Sequence, residues 1–179
     1  ELCSRYSAQL IEIPNIVTSP RWLQERLITC GLRPINAIVD VTNYVMLETG
    51  HPLHAFDAEK IIGKQMVIRE SKRGEEITTL DGTKRTLGEG AIIIQDRERI
   101  IDCAGIMGGE NSRITQDTKT ILLQAAVFDP VRIYRASRLL GLATDASKLY
   151  AAGVDFSVSL QALERACELL EEIAHAQRI

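Results

Sequence analysis

Apolar and polar positions along this chain switch between two periods, and the switches outline its elements. Residues 9–13 alternate apolar and polar, the period of a half-buried strand. Residues 1–6 before them read as a ragged terminus. Ser19-Pro20 reads as a helix start, because serine can cap and proline is tolerated at the first helical position. Trp22, Leu23, Leu27 and Cys30 then share a face, with Trp22 as a packing residue, and Gly31 ends the helix. Ile38, Val41 and Val45 repeat the helical spacing, Gly50 stands where that helix would stop, and a turn follows at Pro52. Next comes a strand-rich half. Residues 66–70 are strand-like, and 76–80 and 85–87 flank Asp81-Gly82, a tight hairpin signal. Residues 90–95 hold Ile92-Ile93-Ile94, a run suited to a strand buried on both faces. Residues 96–98 turn the chain, 99–103 return it, and 121–128 form another buried strand. Asp129-Pro130 opens a helix that runs to Leu140 and closes at Gly141. Residues 157–177 carry Leu160, Leu163, Ala166, Cys167, Leu170 and Ile173 at spacings of three and four. That is an amphipathic helix, with Glu164, Glu168, Glu171 and Glu172 on its solvated face.

Composition narrows the class without naming a function. The chain has 179 residues, enough for one domain. Its hydrophobic fraction of 45% and charged fraction of 25% are ordinary for a globular protein in water. No run is long and apolar enough to span a bilayer, so no membrane partner is expected. The net charge of −3 argues against a general nucleic-acid binder, which carries a basic face. Cys3, Cys30, Cys103 and Cys167 are scattered with no CxxC pair, which speaks for small buried thiols in a reducing, cytoplasmic setting and against zinc. The start at Glu1 is expected of a piece of a longer polypeptide.

The candidate chemistry lies where polar groups interrupt apolar pattern. In residues 33–57, RPINAIVDVTNYVMLETGHPLHAFD, the side chains of Thr42, Asn43 and His54 fall in an otherwise core-like segment. Buried polar groups without partners cost about 1–3 kcal/mol each, so such a cluster either ties down a turn or builds a site. Imidazole near neutral pH can take a proton or orient a water. His51 reads as a structural or exposed turn residue, and His175 lies near a helix C-terminus. Gly105-Ile106-Met107-Gly108-Gly109 follows a strand. It is no P-loop, because Glu110 and Asn111 follow instead of Lys-Ser/Thr. It serves either a turn needing positive φ or a close approach of ligand to backbone. Gln124 breaks the apolar strand 121–127, where a primary amide must find hydrogen bonds. Thr144-Asp145-Ala146-Ser147 reads as a helix start with Thr144 or Asp145 as the cap. Arg132, Arg135 and Arg138 form a stripe that is by default a solvated face, with phosphate contact as the alternative.

These blocks together — RPINAIVDVTNYV, HPLHAFD, AGIMGG, ILLQAAVFDP, GLATDAS and GVD — resemble the B3/B4 editing domain of bacterial phenylalanyl-tRNA synthetase β subunits. The resemblance runs from about residue 10 to 155. It implies an α+β fold, with mixed β-sheets packed by helices. It also implies hydrolysis of mischarged tyrosyl-tRNA(Phe) by water attack on the aminoacyl ester. By that resemblance His54, Asn43 and Thr42 position the water near the ester, and Arg33 contacts tRNA or supports the pocket. Gly108 and Gln124 meet the tyrosyl hydroxyl, while Thr144 and Ala146 shape the ring pocket. The implied partners are the 3′ end of tRNA(Phe), the tyrosine moiety, the remainder of the β subunit and the synthetase α subunit. No cofactor or metal is expected in this domain; ATP and Mg belong to the synthetic site of the full enzyme. The sequence departs from the family in two places. Most members have glutamate where Gln124 stands, and a basic–aromatic–acidic–basic pattern where this chain has Leu149-Tyr150-Ala151-Ala152. A neutral acceptor gives up the ionic assistance that makes charged hydrogen bonds roughly twice as strong. The rival expectation is therefore a structural or tRNA-contact module that kept the fold and lost hydrolysis.

Overall fold

The computed structural model describes residues 1–179. In chain order its elements are β1 (Cys3–Glu12), α1 (Arg21–Thr29), α2 (Ala37–Thr49), β2 (Leu53–Asp57), β3 (Val67–Glu70), β4 (Glu76–Thr78), β5 (Lys84–Thr86), β6 (Ile92–Gln95), β7 (Ile100–Cys103) and β8 (Met107–Gly108). They continue with β9 (Thr120–Phe128), α3 (Pro130–Leu140), α4 (Asp145–Ala152), α5 (Val158–Ala174) and β10 (Gln177–Arg178). The expected α+β class is what the chain adopts. Two antiparallel sheets, ordered β10-β1-β9-β2 and β3-β6-β7-β8, stand with a small β4-β5 hairpin and five helices. No helix is long and apolar enough to cross a membrane.

The central strand β9 divides the molecule, because alternate residues of a strand face opposite sides. Ile121, Leu123 and Ala125 point to one core, where Leu23, Leu27, Ile38, Val41, Val45 and residues of α5 pack. Leu122, Ala126 and Phe128 point to a second core, shared with the isoleucines of β6, Ile101 and Tyr150. Burying such side chains contributes roughly 1.5–3 kcal/mol each, which secures the register of the sheet. Gln124 belongs to the second set. It pairs with Ala8 on one side and His54 on the other, and directly paired residues share a face.

Several expectations are corrected. The first strand begins at Cys3, so residues 1–6 are not ragged: Cys3, Arg5 and Tyr6 pair with Phe128, Val127 and Ala126. The first helix begins at Arg21 with Pro20 as an uncapped N-terminus, because the Ser19 hydroxyl donates to Asp40 instead. Only Leu23 and Leu27 of its expected face are buried. Trp22 remains 37% exposed and meets Tyr44 edge-on, and Cys30 is exposed. The last helix stops at Ala174. His175 takes φ 51, and Gln177–Arg178 turns back to pair with Glu12 and Ile11. Arg178 there bridges Glu164 and Glu171, so the acidic face of α5 is partly paired rather than wholly solvated.

Candidate functional site

A cleft of about 670 Å³ opens between α2, β2, β8, the start of α4 and the segment 113–116. Thr42, Asn43, His54, Gly108, Thr144 and Ala146 all line it, so six of the eight candidate residues meet from four parts of the chain. Arg33 is exposed outside it and has no ion-pair partner, and Gln124 lies behind its wall.

Each lining side chain is held by local structure. Asn36 caps α2, its Oδ1 accepting from the N–H groups of Ile38 and Val39, which fixes how the first turns of α2 enter the cleft. The Thr42 hydroxyl donates to Val39 O at 2.7 Å, which leaves its acceptor capacity unused. Asn43, one residue on, lines the same wall. Thr144 caps α4 as expected: its Oγ1 accepts from Ser147 N at 3.1 Å and donates to Ile106 O at 2.9 Å. That second bond ties α4 to the turn before β8. Two helix N-termini thus border the cleft, a setting that favours negative charge.

His54 and Gly108 form the inner end. The imidazole lies edge-on against Phe56, with centroids 4.4 Å apart. A Cβ at position 108 would stand 2.6 Å from His54 Cε1 and 2.8 Å from its Nε2, so this glycine is required by close approach. The turn needing positive φ is three residues earlier, at Gly105, φ +70. Burial pulls the His54 imidazole down to about 4, so the ring is neutral at physiological pH and offers one donor and one acceptor nitrogen.

Behind this wall lies a polar group of residues. The Tyr6 hydroxyl donates to Gln124 Oε1 at 2.8 Å. Asp102, on β7, pairs directly with Gly108 on β8 and is 3% exposed. It has no ion pair or hydrogen bond to offset its burial, which pushes its carboxyl up to about 7. The Tyr6 hydroxyl is also raised, by burial first and by Asp102 second. Asp102 had no local signal in the sequence: one acid in Ile100-Ile101-Asp102-Cys103 reads like any strand-edge charge. Nor did Asn36 or Arg113, which line the cleft from a cap and a loop. His51, expected in an exposed or structural turn, is buried to 1% with both ring nitrogens unpartnered. No cluster of His, Cys, Asp and Glu able to hold a metal ion is present.

Residues 2–175 match the B3/4 domain family. The chain is 48% identical over 177 residues to the phenylalanine–tRNA ligase β subunit of Dehalococcoides mccartyi, a match covering 99% of this chain. It is 49% identical over 174 residues to that of Geobacter metallireducens, covering 97% of the chain. The chain spans 22% of the length of each of these relatives. Its fold is also similar to a crystal structure of an N-terminal fragment of the phenylalanyl-tRNA synthetase β subunit from Pyrococcus horikoshii. There the TM-score is 0.63 at 13% identity, over 99% of this chain and 47% of the other.

Proposed function

The chain belongs to the B3/4 domain family, and on that premise we propose that it is the editing module of a phenylalanine–tRNA ligase β subunit, hydrolysing tyrosyl-tRNA(Phe). The observation that carries this reading is the meeting of His54 and Gly108 at the inner end of a cleft walled by Thr42, Asn43, Thr144 and Ala146. The 3′ end of the tRNA enters between the two helix N-termini, and the small side chain of Ala146 leaves room for an aromatic ring. Asn43, Thr42 and the neutral His54 hold a water against the ester carbonyl. An aminoacyl ester is already reactive, and orientation alone is worth up to several kcal/mol of barrier, so the site needs no strong nucleophile and no metal. The remainder of the β subunit and the α subunit supply most of the tRNA contact, in keeping with the net charge of −3.

One observation favours a second reading, a module that binds without hydrolysing. The carbonyl of Gln124 faces the second core and is already engaged by Tyr6, so it is not free to read a substrate hydroxyl by itself. The deciding experiment is deacylation of tyrosyl-tRNA(Phe) by the intact ligase that contains this chain, beside its His54→Ala variant. The editing reading expects hydrolysis by the native enzyme and a loss of tenfold or more in the variant. A native enzyme that leaves the ester intact would establish the binding module instead.

A further inference from the structure

We propose that Asp102 is the specificity-determining residue of this cleft, reading the phenolic hydroxyl of a tyrosyl group jointly with the Gln124 carboxamide. The inference rests on the editing reading for its substrate and on the following geometry for its residue.

Strand pairing and close contact link the polar groups at and behind the inner end, and the charge of Asp102 acting on Tyr6 completes the circuit. Gln124 pairs with His54 across β9 and β2. His54 lies against Gly108, close enough to exclude a Cβ there. Gly108 pairs with Asp102 across β8 and β7, so the Asp102 side chain projects from the same face as the missing side chain of Gly108. Asp102 bears electrostatically on Tyr6, whose hydroxyl returns to Gln124.

Within that circuit the hydrogen-bonding capacity is only partly used. Gln124 Oε1 accepts from Tyr6, while the two N–H groups of its amide make no bond. The Asp102 carboxyl is deeply buried and takes no hydrogen bond from the protein. A buried carboxyl left without a partner costs stability, and a donor supplied by a ligand would offset that cost. What remains free is a carboxyl on one side and an amide N–H on the other. A phenol hydroxyl donates one bond and accepts one, and it fits that remainder, donating to Asp102 and accepting from Gln124. Phenylalanine offers neither bond and would leave both groups unpaired, which is the arrangement that discriminates most strongly against an analogue lacking a hydroxyl. The carboxylate that the family resemblance places at position 124 thus has a counterpart here, carried on the neighbouring sheet.

The test uses the intact ligase with Asp102→Asn and Asp102→Ala, each checked for native secondary structure and a cooperative melting transition. Deacylation of tyrosyl- and phenylalanyl-tRNA(Phe) gives the preference as a ratio of kcat/KM values. Tyrosine binding is followed separately, with the synthetic site filled by a phenylalanyl-adenylate analogue. We expect Asp102→Ala to lower the tyrosyl preference by about 10- to 100-fold, through slower tyrosyl and faster phenylalanyl hydrolysis, with Asp102→Asn between it and the native enzyme. Native preference kept in both variants overturns the role of Asp102 and leaves editing standing. An enzyme that binds tyrosine through Asp102 but hydrolyses nothing overturns editing and leaves the recognition standing. Absence of both hydrolysis and binding overturns both.

Discussion

Tyr6 and Gln124 join across the β1–β9 ladder, the phenol donating to the amide oxygen at 2.8 Å inside the second core. This bond pairs the amide oxygen of the one polar side chain that interrupts the inward face of the central strand. Replacing Tyr6 by phenylalanine keeps the ring and removes the donor. The loss is expected to be about 1–2 kcal/mol, the cost of a buried carbonyl left unpaired. Urea denaturation of the variant checks it; an unchanged midpoint would mean that water replaces the phenol.

Gly108 and His54 compete for one volume. Gly108→Ala places a Cβ 2.6 Å from His54 Cε1, so the imidazole has to move. Displacement of a positioning group by about 1 Å can cost on the order of 100-fold in rate. The variant is therefore expected to lose most ester hydrolysis while holding its fold. The His54 ring proton shifts in an NMR spectrum report the displacement directly.

His54 and Asp102 impose opposite pH dependences on stability. The His54 pKa is lowered from about 6.5 unfolded to about 4 folded, so its contribution is lost as pH falls from about 6.5 toward 4. The Asp102 pKa is raised from about 3.9 unfolded to about 7 folded, so its contribution is lost as pH rises from about 4 to 7. Across pH 4 to 6.5 the two slopes oppose each other. Asp102→Asn removes the falling one, and its stability relative to the native protein is expected to climb across that window by on the order of 3 kcal/mol. Denaturation curves for both proteins at three pH values measure the difference. A difference independent of pH would show that Asp102 is ionised throughout.

His51 is buried beside Pro52 with neither ring nitrogen partnered. Burial lowers its pKa, so the ring is neutral and carries an unsatisfied donor and acceptor. His51→Leu is expected to raise stability by about 1 kcal/mol, since unpaired groups of this kind cost about 1–3 kcal/mol. Calorimetry decides it, and a lowered melting temperature would reveal an ordered water bonded to the imidazole.

The departure at Leu149-Tyr150-Ala151-Ala152 has a structural reading. Tyr150 is buried, and its hydroxyl reaches Ala126 O at 3.1 Å and Pro52 O at 3.3 Å, pinning α4 to β9 and to the turn before β2. It thereby holds Thr144 and Ala146 at the cleft. Of the arginine stripe on α3, Arg132 pairs with Glu70, while Arg135 and Arg138 remain exposed.

By itself the sequence determined whatever depends on neighbours along the chain. The helices that start at Pro130 and Asp145, their caps Asp129 and Thr144, and the buried run in β6 follow from spacing and capping chemistry that act within a few residues. Ordered blocks around His54, Gly108 and Thr144 also marked the walls of the cleft. Only the tertiary structure decided what those residues face. Strand pairing over more than a hundred residues sets Tyr6 beside Gln124, and the β7–β8 return places Asp102 beneath Gly108. The same pairing makes a strand of residues 3–8, because β9 supplies hydrogen bonds that no local signal announces. A residue's type and spacing fix which bonds it can make. Which of them remain free for a ligand depends on partners brought together by folding: Tyr6 takes the Gln124 carbonyl, and Asp102 is left without a partner.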